Sequence, residues 1–502
     1  MSGGAVAAVD LGATSGRVMI GRVSDGMLQL EAVSRFPNGP VPGPDGLHWD
    51  FSALYRHIVD GLREAVEREP GLASVGIDSW AVDYGLVQSG ELLAEPFHYR
   101  DERTLRGVDR VHGLIPFAEL YRRNGLQFLP FNTLYQYATE QRLDDADVAL
   151  LVPDLVAFLL TGARIAERTN ASTTGLVDVH SAQWDLELAE RLGIPASVLP
   201  DLVDPGERLG ALHGAARERV GRALEVIAVG SHDTASAIVA VPLSSPNAAY
   251  ISCGTWGLVG VELDAPVVTD DAREANFTNE GGVDGRVRFL HNVTGLWLLS
   301  ESVRAWESED GERIDLPALL EAAAGPTRPE ASGDASAAAE GGVGNADGEI
   351  PIFDANDPRL SAPGDMPARI AAVLEEAGAT VPASRAAFAR TIVESIAAAF
   401  ARTVHTAGRL TDREIDVVHI VGGGALNRLL CQATADRSGL PVLAGPVEAT
   451  AIGNVLVQAR AHGWFGADAS LETLREAVVA AFPPERFEPR AGSRDPRSGR
   501  TA

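Results

Sequence analysis

Two stretches, "AAVDLGATSGRVMIG" (7–21) and "AAYISCGTWGLVGVEL" (248–263), share one plan. Each reads as an apolar strand, a Gly-Ala-Thr or Gly-Thr turn, and a second strand. Outward from the first, "VAAVDLG" (6–12), "RVMIGRV" (17–23) and "LQLEAVSRF" (28–36) are short runs separated by turn residues. Leu54, Ile58, Leu62 and Val66 then recur at helical spacing, with Ser52 placed to cap them. "ASVGIDSW" (73–80) is the next strand.

The order β-β-β-α-β is the opening of a ribonuclease-H-like fold. Outward from the second stretch, Phe388, Ile392, Ile396, Phe400 and Val404 mark a long amphipathic helix. "DVVHIVGGG" (416–424) follows as a buried strand ending in three glycines, and "NRLLCQATADRSG" (427–439) as a helix with a glycine stop. The expectation is an α/β protein of two such domains, 1–243 and 244–485. The Gly-, Ala- and Ser-rich run 322–349 reads as a mobile surface insertion, and 486–502 as a disordered tail.

Composition narrows the function. A chain of 502 residues, 45% hydrophobic, can build two or three cored domains. A formal charge of −27 disfavours nucleic acid and anionic lipid as partners. All 42 basic residues are arginine. Without lysine a P-loop, a protein-kinase strand lysine and a pyridoxal Schiff base are excluded. Two cysteines make neither a disulfide framework nor a zinc cluster. Neither a secretory leader nor an apolar span of about 20 residues is apparent, so the expected location is the cytoplasm.

Three glycine turns carry the chemistry. In "DLGATSGR" (10–17), glycines let backbone N–H groups approach a phosphate, hydroxyls add donors, and Asp10 can hold a hydrated Mg²⁺. A ligand-free hairpin is the plain alternative. "SCGTWG" (252–257) offers a second such turn, and Gly422–Gly424 permit a flat adenine close to the backbone near a helix N-terminus. "GIDSWAVDYG" (76–85), "HYRDERT" (98–104) and "LQFLPFNTLYQ" (126–136) supply carboxylates, amides and rings suited to a sugar, or to ordinary turn packing. In "GSHDTASAI" (230–238), His232 and Asp233 form an acid–base pair, the plain alternative being Asp233 as the cap of a helix beginning at Thr234.

Taken together these residues resemble the FGGY carbohydrate kinases, and within them the rhamnulokinase branch. The resemblance runs from about 5 to 465 and also rests on "TNASTTGL", "TNEGGVDG", "NVTGLWLL", "DPRLSAPGDMPARI" and "AGPVEATAIGNVLVQA". It implies two actin-like ATPase domains about a deep cleft, sugar on the N-terminal domain and nucleotide on the C-terminal one. Ala13, Thr14, Ser15, Gly16, Arg17, Thr255, Gly422, Gly423 and Gly424 would bind ATP. Ala81, His232, Asp233, Thr234 and Asn292 would contact the sugar, Asp233 as catalytic base, with Mg²⁺ as cofactor held by Asp10 through water. Ala81, Cys253 and Ser300 stand where the family usually has Gly, Ser and Gln, and the nucleotide contact at Ser300 is not carried over. The implied reaction moves the γ-phosphoryl of MgATP to the C1 hydroxyl of L-rhamnulose, in a monomer or homodimer. The competing expectations are another ketose kinase, such as an L-fuculokinase, and an actin- or chaperone-like ATPase switch.

Overall fold

The computed structural model describes residues 3–490 apart from 25, 244, 326–349 and 467. The expected insertion 322–349 therefore lies outside the described residues from 326 onward, and so does the tail from 491.

Two compact units emerge. The first comprises Met1–Leu243, Val261–Leu290 and Glu448–Pro483, and the second Ser244–Gly260, His291–Val447 and Pro484–Ala502. The sequence expectation divides the chain once, after 243. The structure instead returns a late helix to the first unit.

The first unit is built on β1 (Gly4–Leu11), β2 (Ser15–Ser24), β3 (Met27–Pro37), α1 (Phe51–Arg68) and β4 (Leu72–Ser79). With β5 (Arg208–Ala211) and β6 (Glu225–Ile227) the sheet order is β5-β6-β4-β1-β2-β3. β1 pairs antiparallel with β2, Asp10 opposite Arg17, and parallel with β4, Asp10 beside Asp78. Alternation in these runs places successive side chains on opposite faces. Val18 accordingly meets α1, where a Cβ on Gly61 would come within 2.6 Å of it.

The cap of α1 differs from the expected Ser52. The helix begins at Phe51, so Asp50, two residues before Ser52, becomes the cap and accepts from the Ala53 N–H at 2.9 Å. Ser52 then lies in the first turn, where the Glu95 carboxylate accepts from the Phe51 and Ser52 N–H groups at 2.8 and 3.2 Å. Four N–H groups have no intrahelical partner at such an end, and two carboxylates cover three of them.

α2 (Asp233–Val239) likewise starts earlier than expected. His232, with extended φ and ψ of −75° and 122°, is the cap residue, and Asp233 is the first helical residue rather than the cap. Of the apolar run "LEVIAVG" (224–230), only Glu225–Ile227 joins the ladder, since Gly206 takes up the Ala228 carbonyl beyond it.

The second unit repeats the frame. β7 (Ala248–Cys253) pairs antiparallel with β8 (Trp256–Leu263) and parallel with β11 (Val417–Val421), the intervening hairpin being β9 (Thr278–Gly281) and β10 (Val287–Thr294). The chain leaves the second unit within β8 and re-enters it within β10. α3 (Arg385–Thr411) is the expected long helix, with Phe388, Ile392, Ile396, Phe400 and Val404 all buried. α4 (Arg428–Ser438) is capped by Asn427 and stopped at Gly439. β12 (Val442–Ala444) and β13 (Glu485–Phe487) complete the run β8-β7-β11-β12-β13, so the paired chain extends into the stretch expected as tail.

The late helix is α5 (Ala449–Ala461). Its Val455 sits where a Cβ on Gly21 of β2 would come within 2.3 Å, on the sheet face opposite α1. Gly453 approaches α2 so closely that a Cβ there would lie 1.8 Å from the Ser236 carbonyl oxygen. Nothing larger than glycine fits that crossing.

Candidate active site

In the first unit the β1–β2 turn is fixed by Gly12 N–H to the Ser15 carbonyl at 2.9 Å and Asn38 Nδ2 to the Gly12 carbonyl at 2.8 Å. Ala13, Thr14 and Ser15 occupy its partly exposed tip, while Gly16 is buried against Phe36. Arg17 donates twice to Asp10 Oδ2, at 2.8 and 2.5 Å, and its third arm pairs with Glu448 just before α5. Two carboxylates thus neutralise Arg17, leaving the backbone donors of the turn to face an anion.

Asp78 lies beside Asp10, fully buried. Its Oδ2 accepts from Asn454 Nδ2 at 2.6 Å, and its Oδ1 has no hydrogen-bond partner among the described residues. Burial pushes this carboxyl well above the usual range, and the charge of Asp10 pushes it further against the Asn454 hydrogen bond. Asn454 continues to Gln458 at 2.6 Å, and Gln458 to the Ala7 carbonyl and the Ser74 hydroxyl.

The loop before α2 brings in the acid–base pair. Ser231 N–H and Oγ–H both donate to Glu167 Oε2, at 2.9 and 2.8 Å, and the Ser231 carbonyl accepts from Ser79. Glu167 also holds Thr169 through N–H and hydroxyl. This buried clamp positions His232 and Asp233 from behind. Thr234 Oγ1 donates to Asp233 Oδ1 at 3.0 Å, and His232 Nε2 lies 3.4 Å from the same oxygen. The Asp233 side chain keeps 34% of its surface exposed. Burial nevertheless raises its carboxyl above the ordinary value, with Asp10 adding to the effect.

Three sugar-type motifs converge on Asp83, which is fully buried. Its Oδ2 accepts from the indoles of Trp49 and Trp80, at 2.6 and 3.0 Å, and from Tyr99 N–H at 3.2 Å. Gln136 Nε2 donates to Oδ1 at 3.0 Å. Asp83 and the Trp80 indole therefore brace the scaffold and are not open to a sugar. The bracing holds Val82 at φ 69°, strained for a β-branched residue, with its carbonyl taken by Thr133 and Gln136. Ala81, next to it, is partly exposed.

The second unit brings its own two turns together. A Cβ on Gly424 would lie 2.5 Å from Cys253 Sγ, and one on Gly422 would lie 2.9 Å from the Cys253 carbonyl oxygen. Gly422 also has φ 78°, which L side chains rarely adopt. Gly423 is exposed beside them. The Thr255 carbonyl accepts from Gly295 and Trp297, both at 3.2 Å, pinning the β7–β8 turn to the start of the helix Trp297–Asp310. Asn292 lies on β10 in this unit, and Ser300 is exposed on that helix.

The chain matches the N-terminal domain of the FGGY family of carbohydrate kinases over residues 5–240, and the C-terminal domain over 249–462. This chain belongs to the FGGY family. It is an ATP-dependent sugar kinase with an α/β fold. A rhamnulokinase from Bacteroides thetaiotaomicron is 38% identical to this kinase over 489 residues, covering 96% of the chain and 95% of the relative. One from Pectobacterium carotovorum is 40% identical over 500 residues, covering 97% and 94%. The solved gluconate kinase from Lactobacillus acidophilus superimposes with a TM-score of 0.73 at 15% identity, over 98% of this chain and 95% of that one. That likeness concerns the fold.

Sequence reasoning passed over Glu167, Glu448, Glu280 and Arg288. Glu280 lies inside "TNEGGVDG", a motif matched without a role. Its Oε2 is 3.1 Å from Nη1 of Arg288, whose side chain is fully buried, and 3.4 Å from His232 Nδ1. Against burial, which alone would raise it, Arg288 holds this carboxyl below its usual range.

Proposed function

We propose that this kinase phosphorylates L-rhamnulose at C1, giving L-rhamnulose 1-phosphate and ADP. What supports this sugar above others is the identity of 38–40% with the named rhamnulokinases over nearly the whole chain. The bond from the γ-phosphorus to the β,γ-bridging oxygen breaks, a bond from phosphorus to the C1 oxygen forms, and the hydroxyl proton passes to Asp233.

Phosphoryl transfer is largely dissociative, so the protein chiefly positions reactants and balances charge. The hydroxyl becomes acidic late. An ionised Asp233 need only orient it and then take the proton, while His232, Thr234, the backbone at Ala81 and Asn292 hold the sugar. Ala13–Arg17, Thr255 and Gly422–Gly424 serve ATP, so residues 1–243 carry the sugar functions and 244–485 most of the nucleotide functions.

The donor set suits a hydrated Mg²⁺. Among the described residues no three His, Cys, Asp or Glu side chains are grouped to hold a metal. Asp10 lies at a strand end, and Mg²⁺ keeps most of its waters and takes one or two carboxylates beside phosphate oxygens. When bound, the ion supplies charge compensation at the phosphates. Among the described residues no helix is long and apolar enough to cross a membrane, and we place the reaction in the cytoplasm.

A coupled ADP-release assay with L-rhamnulose, L-fuculose, D-xylulose and glycerol tests the reading. The expected kcat/KM is highest for L-rhamnulose. A higher value for L-fuculose reassigns the sugar, and ADP release indifferent to any sugar overturns the kinase assignment.

A further inference from the structure

Arg288 is unusual among the arginines of the first unit in being fully buried and aimed at a ring of the site. Its Nη2 lies 3.0 Å from His232 Nδ1, its Nε donates to the Gly281 carbonyl at 2.9 Å, and its Nη1 faces Glu280. We propose that Arg288 fixes His232 as the neutral tautomer protonated at Nε2, so that the ring turns an N–H toward Asp233 and the sugar side. The proposal rests on the reading of Asp233 as base and makes Arg288 a positioning residue.

The argument is one of donors and acceptors. A guanidinium carries donors only. A ring nitrogen at 3.0 Å from Nη2 must therefore offer a lone pair, and a proton on Nδ1 would set N–H against N–H. An imidazolium would in addition bring two cations into contact in a buried place. The Glu280 carboxylate, 3.4 Å from Nδ1, favours the opposite tautomer. It is the farther of the two and already faces Arg288 Nη1 at 3.1 Å, which directs its charge to the guanidinium.

The other groups around the ring agree. Behind the ring, the His232 backbone N–H donates to Thr169 Oγ1 at 3.5 Å and Glu167 holds Ser231, so the main chain that carries the imidazole is fixed. On the ring's own helix, Asp233 Oδ1 lies 3.4 Å from Nε2. An Nε2–H there presents a donor to a carboxylate. Together with the Thr234 hydroxyl it occupies Oδ1, leaving Oδ2 to meet the sugar hydroxyl. The imidazole then steers the base without competing for the proton.

The test uses the full chain labelled with ¹⁵N-histidine, reading ring nitrogens in long-range ¹H–¹⁵N spectra between pH 6.5 and 8. The His232 signals are those lost in His232→Gln. The expected wild-type pattern is a protonated Nε2 and a bare Nδ1. A proton on Nδ1, or an imidazolium, overturns the proposal without reference to turnover. Arg288→Met combined with Glu280→Met removes both charges of the buried pair, so no unpaired charge remains. It should give a mixture of tautomers and lower kcat about tenfold or more, the scale of one lost charge-assisted hydrogen bond. An unchanged tautomer with unchanged kcat in the folded double variant also overturns the proposal. Should that variant not fold, Arg288→Lys with the same spectra replaces it, and the wild-type pattern decides alone. Failure of the base assignment shows separately, as near-normal turnover in Asp233→Asn.

Discussion

The two units use one three-strand frame for opposite ends. In the first, Asp10 faces Arg17 across the antiparallel pair and Asp78 across the parallel pair. At the matching places in the second stand Ser252, Leu258 and Val421, with glycines in the turns on either side. One frame is filled with charge and the other is kept neutral and bare. The first should therefore fail when a charge is altered, and the second when volume is added.

The largest effect is expected at Asp233. Asparagine keeps an oxygen for Thr234 and His232 but cannot take the sugar proton. Asp233→Asn should lower kcat by about 10³-fold, about 4 kcal/mol, with the KM for ATP nearly unchanged. Steady-state kinetics read both, and turnover within a few fold of wild type removes Asp233 from the role of base.

Charge also has a cost away from the reacting atoms. Burial raises the Asp83 carboxyl from 3.8 to about 6, with four hydrogen bonds opposing the rise. The folded state thus holds the proton more tightly than the unfolded state. This contribution to stability is complete below about pH 4 and is lost as pH rises toward 6, a difference of about 3 kcal/mol. Urea unfolding at pH 4, 5, 6 and 7 should show that decline in the wild type and a flatter profile in Asp83→Asn. Parallel profiles would mean that Asp83 is not the group titrating.

What could be read ahead of the structure follows the same line between local and distant causes. Alternation and turn residues located β1, β2, β3, β4, β7 and β8 to within a residue or two, because a strand's pattern lies in the strand. Gly422–Gly424 were read as room for an adenine; in the structure a Cβ on Gly422 or Gly424 would meet Cys253. Helix caps were harder to read: the expected Ser52 gives way to Asp50, and the alternative at Asp233 to His232, since a shift of one or two residues decides which oxygen meets which N–H. Asp83 looked like a sugar ligand because its indole and amide partners lie up to 53 residues away. Arg288 lay outside every motif and Glu280 sat in one without a role, as each is defined by a ring 48 or more positions earlier. Asn454 and Gln458 of α5, one turn apart, give no sign in sequence of Asp78 and Ala7, the sheet groups they meet.

In the neutral frame, volume should matter most. Gly424→Ala puts a methyl group 2.5 Å from the Cβ and Sγ of Cys253, and a contact that short forces the two turns apart. Overpacking of this kind costs about 2 kcal/mol. On the proposed assignment it should raise the KM for ATP by about thirtyfold and leave that for the sugar close to wild type. Adding Cys253→Gly removes both clashing atoms, the next being the Cys253 carbonyl oxygen at 3.4 Å, and should restore most of the loss. Absence of rescue would trace the defect to something other than this contact.

The smallest expected effect comes from carrying the charge of one frame into the other. Ser252→Asp sets a carboxylate at the register position that Asp10 holds in the first unit, but with Leu258 opposite in place of Arg17 and Val421 beside it in place of Asp78. Unpaired and partly exposed, that charge should repel the triphosphate by about 1.4 kcal/mol, raising the KM for ATP about tenfold. Added salt should shrink the difference, since exposed charges are screened within about 10 Å at 0.1 M. A KM for ATP unmoved at low salt would place the β7–β8 turn away from the phosphates and withdraw Thr255 from the nucleotide site. A matching Leu258→Arg added to Ser252→Asp should recover part of the affinity, because the pair would then rebuild the neutralised arrangement of Asp10 and Arg17.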